Sequence, residues 1–149
     1  MVVDGSKEFV GSDRAAAETA FATAVSSQKI AVQLSAITVE PANGLRAHLE
    51  AAPLPSSLKT SDADVYVVVA LNRAESQVSR GENEGRTLTH TAVAQSMDKV
   101  GVIRAGQAFS QDIQLKLRSK SSPENLRLVA FVQEAHQGRV LGATVALVK

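Results

Sequence analysis

From Ile30 onward the apolar residues of this chain recur at every second position, and that period commits the segment to β-strands. Ile30, Val32 and Leu34 alternate with Ala31, Gln33 and Ser35. Leu45, Ala47, Leu49 and Ala51 alternate with Arg46, His48 and Glu50, and Ile113, Leu115 and Leu117 with Gln114 and Lys116. A pleated strand turns successive side chains to opposite faces, so each run offers one face to a core and one to water. DVYVVVALN, from Asp64, is a near-continuous apolar run and predicts a strand buried on both faces. NLRLVAFVQ (residues 125–133) and RVLGATVALV (139–148) predict a final antiparallel pair across the turn-forming AHQG. Short strands without intervening helical patterns indicate a mainly β fold, an antiparallel β-sandwich.

The core must be aliphatic. Of 149 residues 44% are apolar but only 3% aromatic, so Val, Leu, Ile and Ala have to fill it. The net charge is +1, with Lys and Arg scattered among acids, which favours neither nucleic acid nor an anionic membrane. The chain has no cysteine, which removes disulfides, thiol catalysis and thiolate metal sites from it. No run is long and apolar enough to span a bilayer, and MVVDGSKEF has no signal-peptide pattern. No export signal is therefore expected in this chain.

Residues 1–28 follow a different pattern. Val2-Val3 and Glu8-Phe9-Val10 flank Asp4-Gly5-Ser6, which predicts two short strands around a tight turn. SDRAAAETAFATAVSS then predicts a helix ending near Ser26 or Ser27, with Ser12 as cap and Asp13 at the positive end of the dipole. Ala17, Phe21, Ala24 and Val25 share one face of it. A lone hairpin and a helix this short are each marginal in water, so the unit needs something to pack on. Two domains are expected, 1–28 and 29–149, with Phe9 and Phe21 offering a surface to a protein partner or a second copy.

The chemically richest stretch is RGENEGRTLTH, residues 80–90. Gly81 and Gly85 permit positive φ and hence a chain reversal. One reading is a solvated corner in which Arg80, Glu82, Glu84 and Arg86 exchange weak ion pairs. The functional reading is a recognition loop of Arg80, Glu82, Asn83, Arg86 and His90, in which an arginine clamps an anionic group. A small-molecule or hydrolytic site there would use Glu82 as base beside His90, but nothing fixes their separation and no nucleophile accompanies them. No catalytic residue, cofactor or metal site is expected. His48 and His136 lack ligand spacing, and Asp62 with Asp64 reads as a polar loop end rather than a cation site.

VVDGSKEFVGSD (2–13), the Ala-rich helix, RGENEGRTLTHTAV (80–93), LVAFVQ (128–133) and VLGA (140–143) together resemble a family of bacterial proteins, typically exported. These carry a thioredoxin-like domain and a β-rich C-terminal domain. The string RGEN-x-GRTLTH is the most specific part. The resemblance implies that residues 1–28 are the closing strand–strand–helix of the thioredoxin-like domain, whose Cys-x-x-Cys motif and the Thr-Pro-Gln segment before the VVDG strand are absent here. It also implies a periplasmic or secreted location for a full-length member. This chain is then expected to be a non-catalytic interaction or accessory domain, or the accessory half of a thiol–disulfide oxidoreductase.

Overall fold

The computed structural model of the chain describes residues 1–58, 60–117 and 122–148. Strands β1 (Val2–Val3) and β2 (Lys7–Glu8) form a small hairpin, followed by helix α1 (Arg14–Ser26). Then come β3 (Val32–Glu40), β4 (Gly44–Ala51), β5 (Asp62–Gln77), β6 (Thr87–Arg104), β7 (Phe109–Lys116), β8 (Leu126–Glu134) and β9 (Val140–Leu147). The larger strands make two antiparallel sheets, three-stranded β3-β4-β7 and four-stranded β6-β5-β8-β9. The mainly β, antiparallel sandwich read from the alternating pattern is the observed architecture.

Alternation fills the space between the sheets. Leu45, Ala47, Leu49 and Ala51 of β4 and Ile113 and Leu115 of β7 are buried on one side. Ala63, Val65, Val67 and Val69 of β5 meet them from the other, with Leu126, Leu128, Ala130 and Val132 of β8. Among the described residues no polar or charged side chain is buried. The expectation that β5 is buried on both faces is corrected: Tyr66 and Val68 are only half-buried, because the core lies on the other face of the four-stranded sheet. β5 also starts at Asp62, two residues before the apolar run that begins at Asp64; residue 59 lies outside the described residues.

One flank of the sandwich is closed by backbone. Ile30 donates its N–H to the carbonyl of Leu141 at 2.8 Å, joining the lead-in to β3 with β9. Gly142 makes this approach feasible: a Cβ there would lie 2.4 Å from the Ile30 carbonyl oxygen and 2.9 Å from Val32 Cγ2.

The N-terminal unit docks on the same flank. The Val140 N–H reaches the Asp4 carbonyl at 2.9 Å, and Lys29 bridges the Asp4 carboxylate and, at 2.6 Å, the Val140 carbonyl. The β8–β9 turn beneath is braced by Arg139 and Glu134, 2.8 Å apart, and that guanidinium holds the Glu134 carboxyl below its ordinary pKa. One detail of the helix differs from expectation. Asp13, not Ser12, caps it, accepting from the Ala16 N–H at 2.9 Å. Its small face, around Ala20, turns inward, leaving Phe21 53% and Val25 86% exposed. A two-stranded hairpin is too narrow to cover a whole helical face.

Replacing Gly142 with Ala should lower stability by about 1–3 kcal/mol, the usual cost of forcing atoms into a filled space. A lower urea midpoint at unchanged slope would show it; an unshifted midpoint would mean that the β3–β9 seam is loose.

Candidate functional site

β5 is longer than the strand beside it. Its pairing with β8 ends at Leu71 opposite Leu126, yet it continues to Gln77, paired only with β6. The ribbon made by Arg73–Gln77 and Thr87–Thr91 therefore stands clear of the sandwich. At about 3.4 Å per residue it adds roughly 17 Å of arm before the tip. Arg73, Glu75, Ser76 and Gln77 are exposed on one strand, and Thr87, Thr89, His90 and Thr91 on the other.

A side chain braces the root of this arm. The Asn125 amide accepts from the Arg73 N–H at 3.0 Å and donates to the Arg73 carbonyl at 2.9 Å, the pair of bonds a neighbouring strand would make. Asn72 completes the brace. Its Nδ2 donates to the carbonyls of Glu124 (3.0 Å) and Leu126 (3.3 Å), and its Oδ1 accepts from Arg127 Nε at 2.6 Å. Where β8 stops, amide side chains take over its role.

The tip carries the residues singled out in the sequence. The Val78 N–H donates to the Arg86 carbonyl and the Gly85 N–H to the Val78 carbonyl, both at 2.9 Å, closing the turn. Gly81 and Gly85 have φ of +93° and +78°, as the reversal requires. Arg80, Glu82, Asn83 and Arg86 are all exposed, and among the described residues no ion pair involves the charged ones. His90 is not at the tip. It sits opposite Ala74, with Nε2 2.7 Å from Ser76 Oγ. Glu82 and His90 are thus held on separate parts of the arm, and no hydrogen bond or ion pair joins them.

A second cluster was invisible in the sequence. On the outer face of the three-stranded sheet, His48 Nδ1 lies 2.6 Å from Asp112 Oδ1, and Nε2 lies 3.3 Å from Ser110 Oγ and 3.6 Å from Glu50 Oε1. The residue types suggest a nucleophile relay, but Nε2, the nitrogen that faces Ser110, is shared with the Glu50 carboxylate. The hydrogen bond to the Asp112 carboxylate, with Glu50 nearby, holds the His48 pKa above its ordinary value. The cluster is an ion-paired patch created by β4–β7 register, in which His48 faces Asp112 and Glu50 faces Ser110.

A cleft of about 610 Å³ lies between the β1–β2 hairpin and the outer face of the four-stranded sheet, lined by Val2, Glu8, Tyr66, Met97, Gln133 and Gln137. It brings no acid and base together. Asp64, read earlier with Asp62, takes Lys99 at 2.7 Å, and among the described residues no cluster of His, Asp and Glu could hold a metal. No described helix is long and apolar enough to cross a membrane.

The profile of the family described as "Protein of unknown function (DUF1223)" matches residues 1–133. The chain belongs to this family. No curated protein matches the DUF1223 chain in sequence. Among solved structures, HBP35 of Porphyromonas gingivalis superposes with a TM-score of 0.66 at 14% identity, over 94% of this chain and 48% of that one. The DUF1223 chain thus spans about half the length of HBP35. A domain of the outer membrane lipoprotein Omp28 from the same organism gives a TM-score of 0.46 at 11% identity, over 82% of this chain and 89% of that one. Spo0M, a sporulation control protein from Bacillus subtilis, gives 0.48 at 9% identity, over 79% and 46%. The HBP35 likeness is one of fold.

The His48 cluster makes a pH prediction. A raised folded pKa means its contribution to stability is complete below the ordinary histidine value and is lost as pH rises through the folded value. An NMR titration should place the His48 midpoint above about 6.5, and Asp112→Asn should lower it. A midpoint insensitive to that substitution would show that the 2.6 Å contact does not persist in solution.

Proposed function

We propose that the DUF1223 chain is a non-catalytic interaction domain that presents the β5–β6 arm, with Arg80, Glu82, Asn83, Arg86 and His90, to a protein partner. The supporting observation is the brace at the arm's root: Asn125 and Asn72 hold a ribbon that no layer of the sandwich covers. Ordering a hairpin in water costs conformational entropy, and a purpose-built brace is difficult to explain for a mere connection. At the tip, two guanidinium groups that form no ion pair among the described residues are placed to grip a carboxylate or phosphate bidentately. The separation of Glu82 from His90 disfavours a hydrolytic site on the loop.

The domain is further read as the accessory part of a larger exported protein, periplasmic or secreted. Residues 1–28 are taken as a separate unit, the closing strands and helix of a thioredoxin-like domain. The order β1, β2, α1 supports this, as does the exposure of Met1, Val2, Val10, Phe21 and Val25, an apolar set that suits contact with a neighbouring domain. A thiol–disulfide activity would belong to a cysteine-bearing part, since this chain has no cysteine.

Photo-crosslinking tests the arm. A crosslinker replacing Glu82 in the full-length protein should yield adducts with another protein, whereas one replacing Gln111 on β7 should not, and Arg80→Ala with Arg86→Ala should abolish them. Equal adducts from both positions would overturn the reading. Insulin reduction tests the rest: activity in the cysteine-free chain would refute the accessory role.

A further inference from the structure

The two edges of the arm differ. On the β5 edge the backbone of Arg73 is already engaged by the Asn125 amide, and Arg73 and Glu75 form a 2.7 Å ion pair. That edge is capped and charged. The β6 edge carries no such protection along Thr87–Thr91. The sequence there, TLTHT, has no Lys, Arg, Asp, Glu, Pro or Gly, and its threonines and leucine suit extended backbone. Natural edge strands usually carry charge, proline or a bulge to prevent pairing.

Further down, the same strand has those devices. Ala92 has φ +55°, and the β5–β6 register shifts at Gln95 and again at Val100, next to Asp98 and Lys99. The unprotected edge is therefore confined to the part of β6 that has left the sandwich.

We propose that Thr87–Thr91 pairs antiparallel with the same segment of a second copy, about a two-fold axis at Thr89. This rests on the reading of the arm as an interaction element, and gives its β6 edge a partner distinct from the one met at the tip. The segment is self-complementary about that axis: Thr87 faces Thr91 of the second copy, Leu88 faces His90, and Thr89 faces Thr89. No like charges meet. Arg86 lies three residues from the axis, so the two Arg86 positions are separated by about 20 Å along the seam, well beyond the screening length. A second copy also supplies what the ribbon lacks. Two strands alone are marginal in water, whereas two arms side by side make a four-stranded sheet, β5-β6 against β6-β5. A single peptide strand would leave a new open edge; the second arm ends the sheet on the capped β5 edge.

The absence of cysteine allows a clean test, because any disulfide in a single-cysteine variant joins two chains. Directly opposed residues have Cα atoms about 4.5–5.5 Å apart, within disulfide range. Thr89→Cys, oxidised in dilute solution, should dimerise roughly tenfold or more faster than Glu82→Cys or Glu75→Cys. Sedimentation should show the wild-type chain associating as concentration rises, and Thr89→Lys, which places like charges on the axis, should remain monomeric. Equal crosslinking at positions 89, 75 and 82, or association that survives Thr89→Lys, would overturn the pairing. Should Thr89→Cys stay monomeric while the Glu82 crosslinker still captures another protein, self-pairing fails and the recognition reading stands.

Discussion

The aliphatic layer between the two sheets carries the rest of the molecule. Leu45, Leu49, Val65, Val67, Leu128 and Val132 are all fully buried in it, and among the described residues it holds no polar side chain. Removal of apolar surface from water, at about 25 cal/mol per Å², is non-directional. It leaves the strands free to end where pairing ends rather than where packing ends. That freedom allows β5 to run past its neighbour β8 and take β6 with it. The sandwich is the stable body, and the arm is an overhang made from its own central strand.

An overhang of this kind has an unmet requirement at its base. Where β8 stops, the backbone of β5 loses a partner, and a hydrogen-bonding group left without one costs free energy if it is screened from water. Asn125 and Asn72 answer that locally. Their amides can donate and accept at once, which lets two side chains reproduce a short length of ladder. The arm therefore leaves the body along the line of the sheet instead of fraying.

Much of the body was legible in the sequence because period 2 is a local signal: the buried faces of β4, β7 and β8 fall on the residues that alternation picks out. The strand–strand–helix order of residues 1–28 was legible too, through its turn and its alanine run. What failed depended on neighbours. β5 reads as doubly buried because valine fills both of its faces, though only one meets the other sheet. Asp13 displaced Ser12 as cap by a difference of one residue in where the helix begins. For the candidate site, the positive φ of Gly81 and Gly85 could be anticipated, but the brace could not, since Asn125 lies 52 residues from Arg73 in the chain. The same holds for His48 and Asp112, 64 residues apart and joined only by register.

The seam between Ile30 and Leu141, with the Asp4 to Val140 bond beside it, ties the β1–β2 hairpin and the lead-in to β3 to β9, the last strand of the sandwich. Loop closure across so long a stretch comes late, because its entropy must be met before its contacts form. During synthesis the β1–β2 hairpin and α1 thus emerge long before the strand that will receive them. For that interval the Asp4 carbonyl has no Val140 N–H to meet, and Lys29 has no Val140 carbonyl. In this chain the order of manufacture and the order of assembly run in opposite directions, and the N-terminal unit is the part that waits.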